Sequence, residues 1–111
     1  MSKKKLKVSF DYDGTLSTKE GKKKAKKHIE RGDNVYITTA RPKDWHGERW
    51  DNTEVFEAAE NLGIPKNKIR FLDFDDKWKH LKEFDFHFDD DKTEIELINA
   101  NTTCKGVLVK Y

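Results

Sequence analysis

Cysteine is almost missing from this chain. Cys104 stands alone among 111 residues, so no intrachain disulfide can form. A fold without that crosslink suits a reducing, cytoplasmic setting. Long apolar runs are missing too: nothing approaches the roughly 20 residues that span a bilayer, and no membrane partner is expected. The opening residues are basic but have no apolar core segment, so they do not read as a secretory signal. No internal repeat and no linker-like stretch divides the chain, and its length predicts one domain over residues 1–111. Nor does one sign of charge dominate, since the formal net charge is only +2.

What is present is charge, at 40% of residues against 34% hydrophobic ones. It is unevenly spread. Residues 1–31 hold 11 Lys/Arg and 4 Asp/Glu, a balance of +7, and residues 32–111 hold 12 and 17, a balance of −5. A basic front half suits phosphate-bearing partners; it equally suits plain solubility of a lysine-rich helix.

Apolar stretches recur to the end of the chain at regular intervals. Leu6, Val8 and Phe10 alternate with polar residues and predict a first strand over Lys5–Phe10. Ser17 or Thr18 can cap a helix running to about Glu30, with Gly21, Ala25 and Ile29 on its narrow inner side. Val35–Ile37 make a second strand. A loop over 42–52 carries Trp45, His46 and Trp50, and Asp51 with Glu54 starts a helix bearing Val55, Ala58, Ala59 and Leu62. Gly63 and Pro65 stop it. Ile69–Leu72 make a third strand, and Asp75 or Asp76 caps a short helix with Trp78 and Leu81. Phe84, Phe86 and Phe88 mark a fourth strand, Ile95, Leu97 and Ile98 a last helix, and Val107–Val109 a fifth strand. Strand and helix alternating in this way predict an α/β fold with a parallel sheet covered on both faces.

In such sheets ligands bind beyond the carboxyl ends of the strands. Asp11 and Asp13 follow the first strand, Thr39 and Arg41 the second, Asp89 and Asp90 the fourth. Two carboxylates as close as Asp11 and Asp13 repel. They are tolerated beside a divalent cation, as partners in nucleophile and acid roles, or simply in a solvated Asp-Gly turn. Four carboxylates converging on one edge favour a hard cation, and Mg²⁺ is the usual choice where phosphate also binds. The histidines His28, His46, His80 and His87 read as structural.

Asp11-Tyr12-Asp13-Gly14-Thr15-Leu16 after an apolar strand resembles the signature of the haloacid dehalogenase superfamily of phosphohydrolases. Val35-Tyr36-Ile37-Thr38-Thr39 and Phe86-His87-Phe88-Asp89-Asp90 resemble its second and fourth motifs, and the resemblance covers about residues 5–110. It implies a three-layer αβα Rossmann-like domain, a five-stranded, mainly parallel sheet in the order 5-4-1-2-3 and no cap domain. It further implies Asp11 as nucleophile, Asp13 as general acid and base, and Thr39 with a lysine steadying the phosphoryl group. Lys77, Lys79 and Lys82 all qualify as that lysine, with Lys77 preferred by its position. Thr15, Thr39, Ala40 and Arg41 would line the substrate subsite. Mg²⁺ would be held by Asp11, the Asp13 carbonyl, Asp90 and Asp89, and the adjacent Asp91 leaves the register open by one. The expected substrate is a phosphomonoester, nucleotide or nucleic-acid end first, sugar phosphate or phosphoprotein second, with no obligate protein partner. A non-catalytic phosphate-binding module is the alternative.

Overall fold

A computed structural model describes residues 5–45, 48–49 and 51–110, with only the backbone described at 44, 45, 48 and 49. Strand β1 (Lys7–Phe10) leads into a wide turn over Tyr12–Leu16, then helix α1 (Lys19–Arg31) and strand β2 (Asn34–Thr39). Two residues each form β3 (Asp44–Trp45) and β4 (Glu48–Arg49), before helix α2 (Thr53–Leu62) and strand β5 (Ile69–Phe71). Strand β6 (Phe86–Asp89), helix α3 (Lys92–Asn101) and strand β7 (Lys105–Leu108) complete the chain.

Five strands form one sheet in the order β5-β2-β1-β6-β7, all parallel, which is the expected order read from the other edge. β1 lies in the middle. Its odd and even residues face opposite layers, as the pleat requires. Val8 and Phe10 join Val35, Ile37 and Phe88 under Ala25 of α1 and Val55, Ala58 and Ala59 of α2. On the other face Leu81, Phe84, Ile98 and Cys104 form a smaller cluster, with Tyr36 and Trp78 against it. The core is therefore two apolar layers, one on each side of the sheet.

Local chemistry explains the helix ends. The Thr18 hydroxyl accepts from the Gly21 N–H at 3.0 Å, so Thr18 rather than Ser17 caps α1. Gly32 closes it in the left-handed conformation at φ 91°. Buried Asp33 then accepts from the Leu6 N–H at 3.0 Å and pairs with His28 at 2.8 Å, tying the end of α1 to the start of β1. At Gly21 an added Cβ would sit 1.8 Å from the Thr15 carbonyl oxygen, so only glycine lets α1 lie this close to the turn after β1.

Three expectations need correction. The segment before β6 is a single 3₁₀ turn over Lys77–His80, not an α-helix, and neither Asp75 nor Asp76 caps it with its side chain. Asp75 is drawn instead to His80 Nε2 at 2.9 Å. The fourth strand starts at Phe86, because the Phe84 N–H closes a turn on the Leu81 carbonyl at 3.0 Å. The loop after β2 is not wholly irregular, since β3 and β4 pair antiparallel within it. His46 and Trp50 lie outside the described residues, as does the Trp45 side chain. No described helix is long and apolar enough to cross a membrane.

Candidate active site

The carboxyl ends of β1, β2 and β6 meet at one rim. The ladder continues past β1, where the Asp11 N–H donates to the Phe88 carbonyl at 2.9 Å. This fixes the backbone of Asp11 beside β6, and its side chain follows into the protein, only 5% exposed. Asp89 ends β6 and is wholly buried. Asp90, next in the chain, is exposed. One carboxylate oxygen from each of Asp11, Asp89 and Asp90 falls within 4.8 Å of the others.

Between Asp11 and Asp89 sits an ammonium. Lys77 Nζ donates to Asp11 Oδ1 and Asp89 Oδ2, each at 2.7 Å, and the lysine is 5% exposed. Lys79 pairs with Asp75 and Asp76 at the surface, and Lys82 is exposed. Lys77 thus lies between the two buried aspartates. Its approach depends on the loop before it. The N–H groups of Leu72 and Phe74 donate to the Thr39 and Ala40 carbonyls at 2.9 and 2.7 Å, hanging the loop on the end of β2. Asp73 and Phe74 both take positive φ, 51° and 64°, in turning the chain back toward the rim.

Asp89 is fully engaged. Besides Lys77, its Oδ2 accepts from His87 Nε2 at 2.9 Å, and its Oδ1 accepts from the Asp91 N–H at 3.0 Å. A carboxylate only accepts, so His87 carries its proton on Nε2, and Nδ1 meets the Ser9 hydroxyl at 3.0 Å. Ser9 Oγ lies 2.7 Å from Thr38 Oγ1, so a polar row crosses three strands under the site. The sequence alone reads His87 as structural, and here it orients Asp89. Its one usable signal was parity: residues 87 and 89 of a strand point to the same face.

Electrostatics follow from this burial. Desolvation pushes the Asp11 carboxyl up to about 7; Lys77 pulls it back in part, and Asp89 and Asp90 add to the rise. Burial also presses Asp89 upward, but His87 and Lys77 outweigh it and hold that group down at about 2. Burial lowers His87, which keeps its imidazole neutral.

The donor set fits a hard divalent cation. Three carboxylates converge, two of them buried and served by the single ammonium of Lys77, and the backbone makes room for Asp90. Gly14 stands at φ 78°, and a Cβ there would lie 2.2 Å from Asp90 Oδ2. Asp89 already accepts three hydrogen bonds and Asp11 two, so Asp89 has less capacity left than Asp11. Asp91 is otherwise employed: its Oδ1 accepts from the N–H groups of Thr93 and Glu94 at 2.9 and 3.3 Å and caps α3.

The remaining candidates divide. Buried Thr39 accepts from the Arg41 N–H at 3.2 Å. Thr15 is buried with its hydroxyl 3.5 Å from Asp11 Oδ2. The Ala40 carbonyl serves the Phe74 N–H, as described. The Asp13 side chain does not join the three aspartates; it pairs outward with Arg41.

Compared with family models, curated proteins and solved structures, the chain matches none.

Proposed function

We propose that this protein is a Mg²⁺-dependent phosphomonoester hydrolase of the haloacid dehalogenase type, acting through an aspartyl-phosphate on Asp11. The observation that carries the reading is the meeting of Asp11, Lys77, Asp89 and Asp90 at one sheet edge, with Asp11 opening the run Asp-Tyr-Asp-Gly-Thr-Leu. Its chemistry is positioning plus charge.

An Asp11 oxygen attacks phosphorus; the new P–O bond forms as the bond to the leaving oxygen breaks. Asp13 gives that oxygen a proton, then takes one from the water that attacks the aspartyl-phosphate. Inorganic phosphate departs and Asp11 is restored. The Lys77 ammonium stays against Asp11 and offsets phosphoryl charge, and the Thr39 hydroxyl donates to another phosphoryl oxygen. His87 keeps Asp89 turned toward Lys77. Asp11, Asp90 and the Asp13 carbonyl would hold the Mg²⁺, with Asp89 direct or through water. The bound ion supplies charge neutralisation at the transferred group.

Arg41 at the rim and the six lysines of α1 (residues 19, 22, 23, 24, 26 and 27) favour a nucleotide or nucleic-acid end phosphate, the latter with further backbone charges, over a singly phosphorylated sugar. The test is phosphate release from an aryl phosphate in Mg²⁺. Wild-type protein should turn over, EDTA should stop it, and Asp11→Asn should lower the rate by at least about a thousandfold. An Asp11→Asn protein as fast as wild type would defeat the proposal. Absence of turnover together with failure to trap beryllofluoride in Mg²⁺ would favour the binding module instead.

A further inference from the structure

The carboxylate expected to serve as acid and base is held away from the buried aspartates. Arg41 Nε donates to Asp13 Oδ2 at 2.9 Å, and Nη2 to Asp13 Oδ1 at 2.5 Å. The same Nη2 donates to Glu54 Oε1, in the first turn of α2, at 2.6 Å. The guanidinium carbon lies 5.2 Å from the centre of the Tyr12 ring, and the Arg41 side chain is 17% exposed against 58% for Asp13. Arg41 is thus fixed on three sides, by Asp13, Glu54 and Tyr12. Both Asp13 oxygens are taken, so in this arrangement neither can turn to a leaving oxygen.

We infer that Arg41 is a substrate-read latch: it holds Asp13 at rest and releases it to substrates whose leaving group carries a second phosphate. The inference rests on the phosphatase reading and deepens it by naming the substrate class. A guanidinium binds two oxygens of a phosphate with the same planar fork it presents to a carboxylate, and a phosphate carries more charge. A second phosphate at the rim therefore competes with Asp13 for Nε and Nη2. Glu54 keeps Arg41 at the rim during the exchange, which makes Glu54 a positioning residue. Freed, the exposed Asp13 carboxyl turns inward, and the proton it gives to the leaving oxygen comes from water. A leaving group without the second phosphate leaves the latch closed.

Leaving-group chemistry supplies the test. An aryl phosphate departs as a phenolate and needs no proton, so the burst of phenolate that accompanies aspartyl-phosphate formation reports Asp11 and not the latch. Wild-type protein is assayed on that compound, on a nucleoside 5′-monophosphate against the 3′,5′-bisphosphate, and on a hexose monophosphate against the bisphosphate. Each bisphosphate should exceed its monophosphate in kcat/KM by at least about tenfold. Arg41→Met should collapse both ratios toward one, while a Tm within a few degrees of wild type marks the intact fold. Ratios near one in wild type overturn the inference while leaving the phosphatase intact. A gain confined to the nucleotide pair ties the effect to the nucleotide scaffold and not to the second phosphate alone, and overturns it as well. If the aryl phosphate is not hydrolysed, the phosphatase reading fails, and binding decides the latch. In Asp11→Asn protein, calorimetry should then find the bisphosphates bound about tenfold more tightly than the monophosphates, and equal affinities reject it.

Discussion

At the residue scale, two glycines with the same backbone conformation have different neighbours. Gly14 and Gly32 both stand at positive φ, 78° and 91°. A methyl at Gly32 would meet nothing within 4 Å, whereas one at Gly14 would run into the Asp90 carboxylate. Gly32→Ala should therefore cost only the backbone strain, about 1 kcal/mol. Gly14→Ala should cost that plus the displacement of Asp90, about 2–3 kcal/mol in all, and should weaken Mg²⁺ binding. Urea unfolding and a magnesium titration of both variants make the comparison; equal losses would mean that Asp90 yields freely. The sequence made Gly14 visible through the Asp-x-Asp-Gly-Thr-Leu run. It could not tell which of Asp89, Asp90 and Asp91 faces the centre. That depends on where β6 ends and α3 begins, and Asp91 is spent on the N–H groups of Thr93 and Glu94. The Arg41–Asp13 pair was equally hidden, because partners 28 residues apart meet only through the sheet order.

At the element scale, the 3₁₀ turn at Lys77–His80 does the work expected of a helix. The chain is tethered to the end of β2 through Leu72 and Phe74 and must enter β6 at Phe86, which leaves room for one tight turn. That turn aims Lys77 inward and leaves Lys79 at the surface. Lys77→Met would strand Asp11 and Asp89 without their buried cation and should destabilise the metal-free protein by about 3–5 kcal/mol. Lys79→Met removes only exposed pairs and should stay within about 0.5 kcal/mol of wild type. Denaturant midpoints decide it, and similar losses for the two variants would contradict the buried geometry. Elements with strong periodicity were legible: β1, α1, α2 and α3 all lie where the apolar spacing put them. The failures fell where periodicity was short. Phe84 shares parity with Phe86 and Phe88, yet it turns under the opposite face beside Leu81. The polar row from Thr38 through Ser9 to His87 could not be read either, because it needs β2, β1 and β6 side by side in that order.

At the scale of the molecule, the site places a burden on the fold that pH should reveal. Burial pushes the Asp11 carboxyl up to about 7 in the folded chain, above its ordinary value of 3.8. The folded state thus binds the extra proton between these values, and stability falls as pH rises through that window. Metal-free protein should lose several degrees of Tm between pH 5 and pH 8. A divalent cation among the carboxylates opposes the rise at Asp11, so Mg²⁺ should restore most of the loss at pH 8 and little at pH 5. Thermal scans with and without EDTA measure this, and a pH-independent Tm would show that Asp11 is ionised throughout.

The middle strand, β1, acquires its second neighbour only when β6 joins it, some 75 residues later in the chain. During synthesis, a nascent polypeptide emerging from the ribosome would expose Phe10 along an unfilled seam until that late segment arrives. Separately expressed fragments, broken in the exposed Lys82–Glu83 stretch, should for the same reason find each other by strand insertion and rebuild the aspartate-lined rim only as a pair.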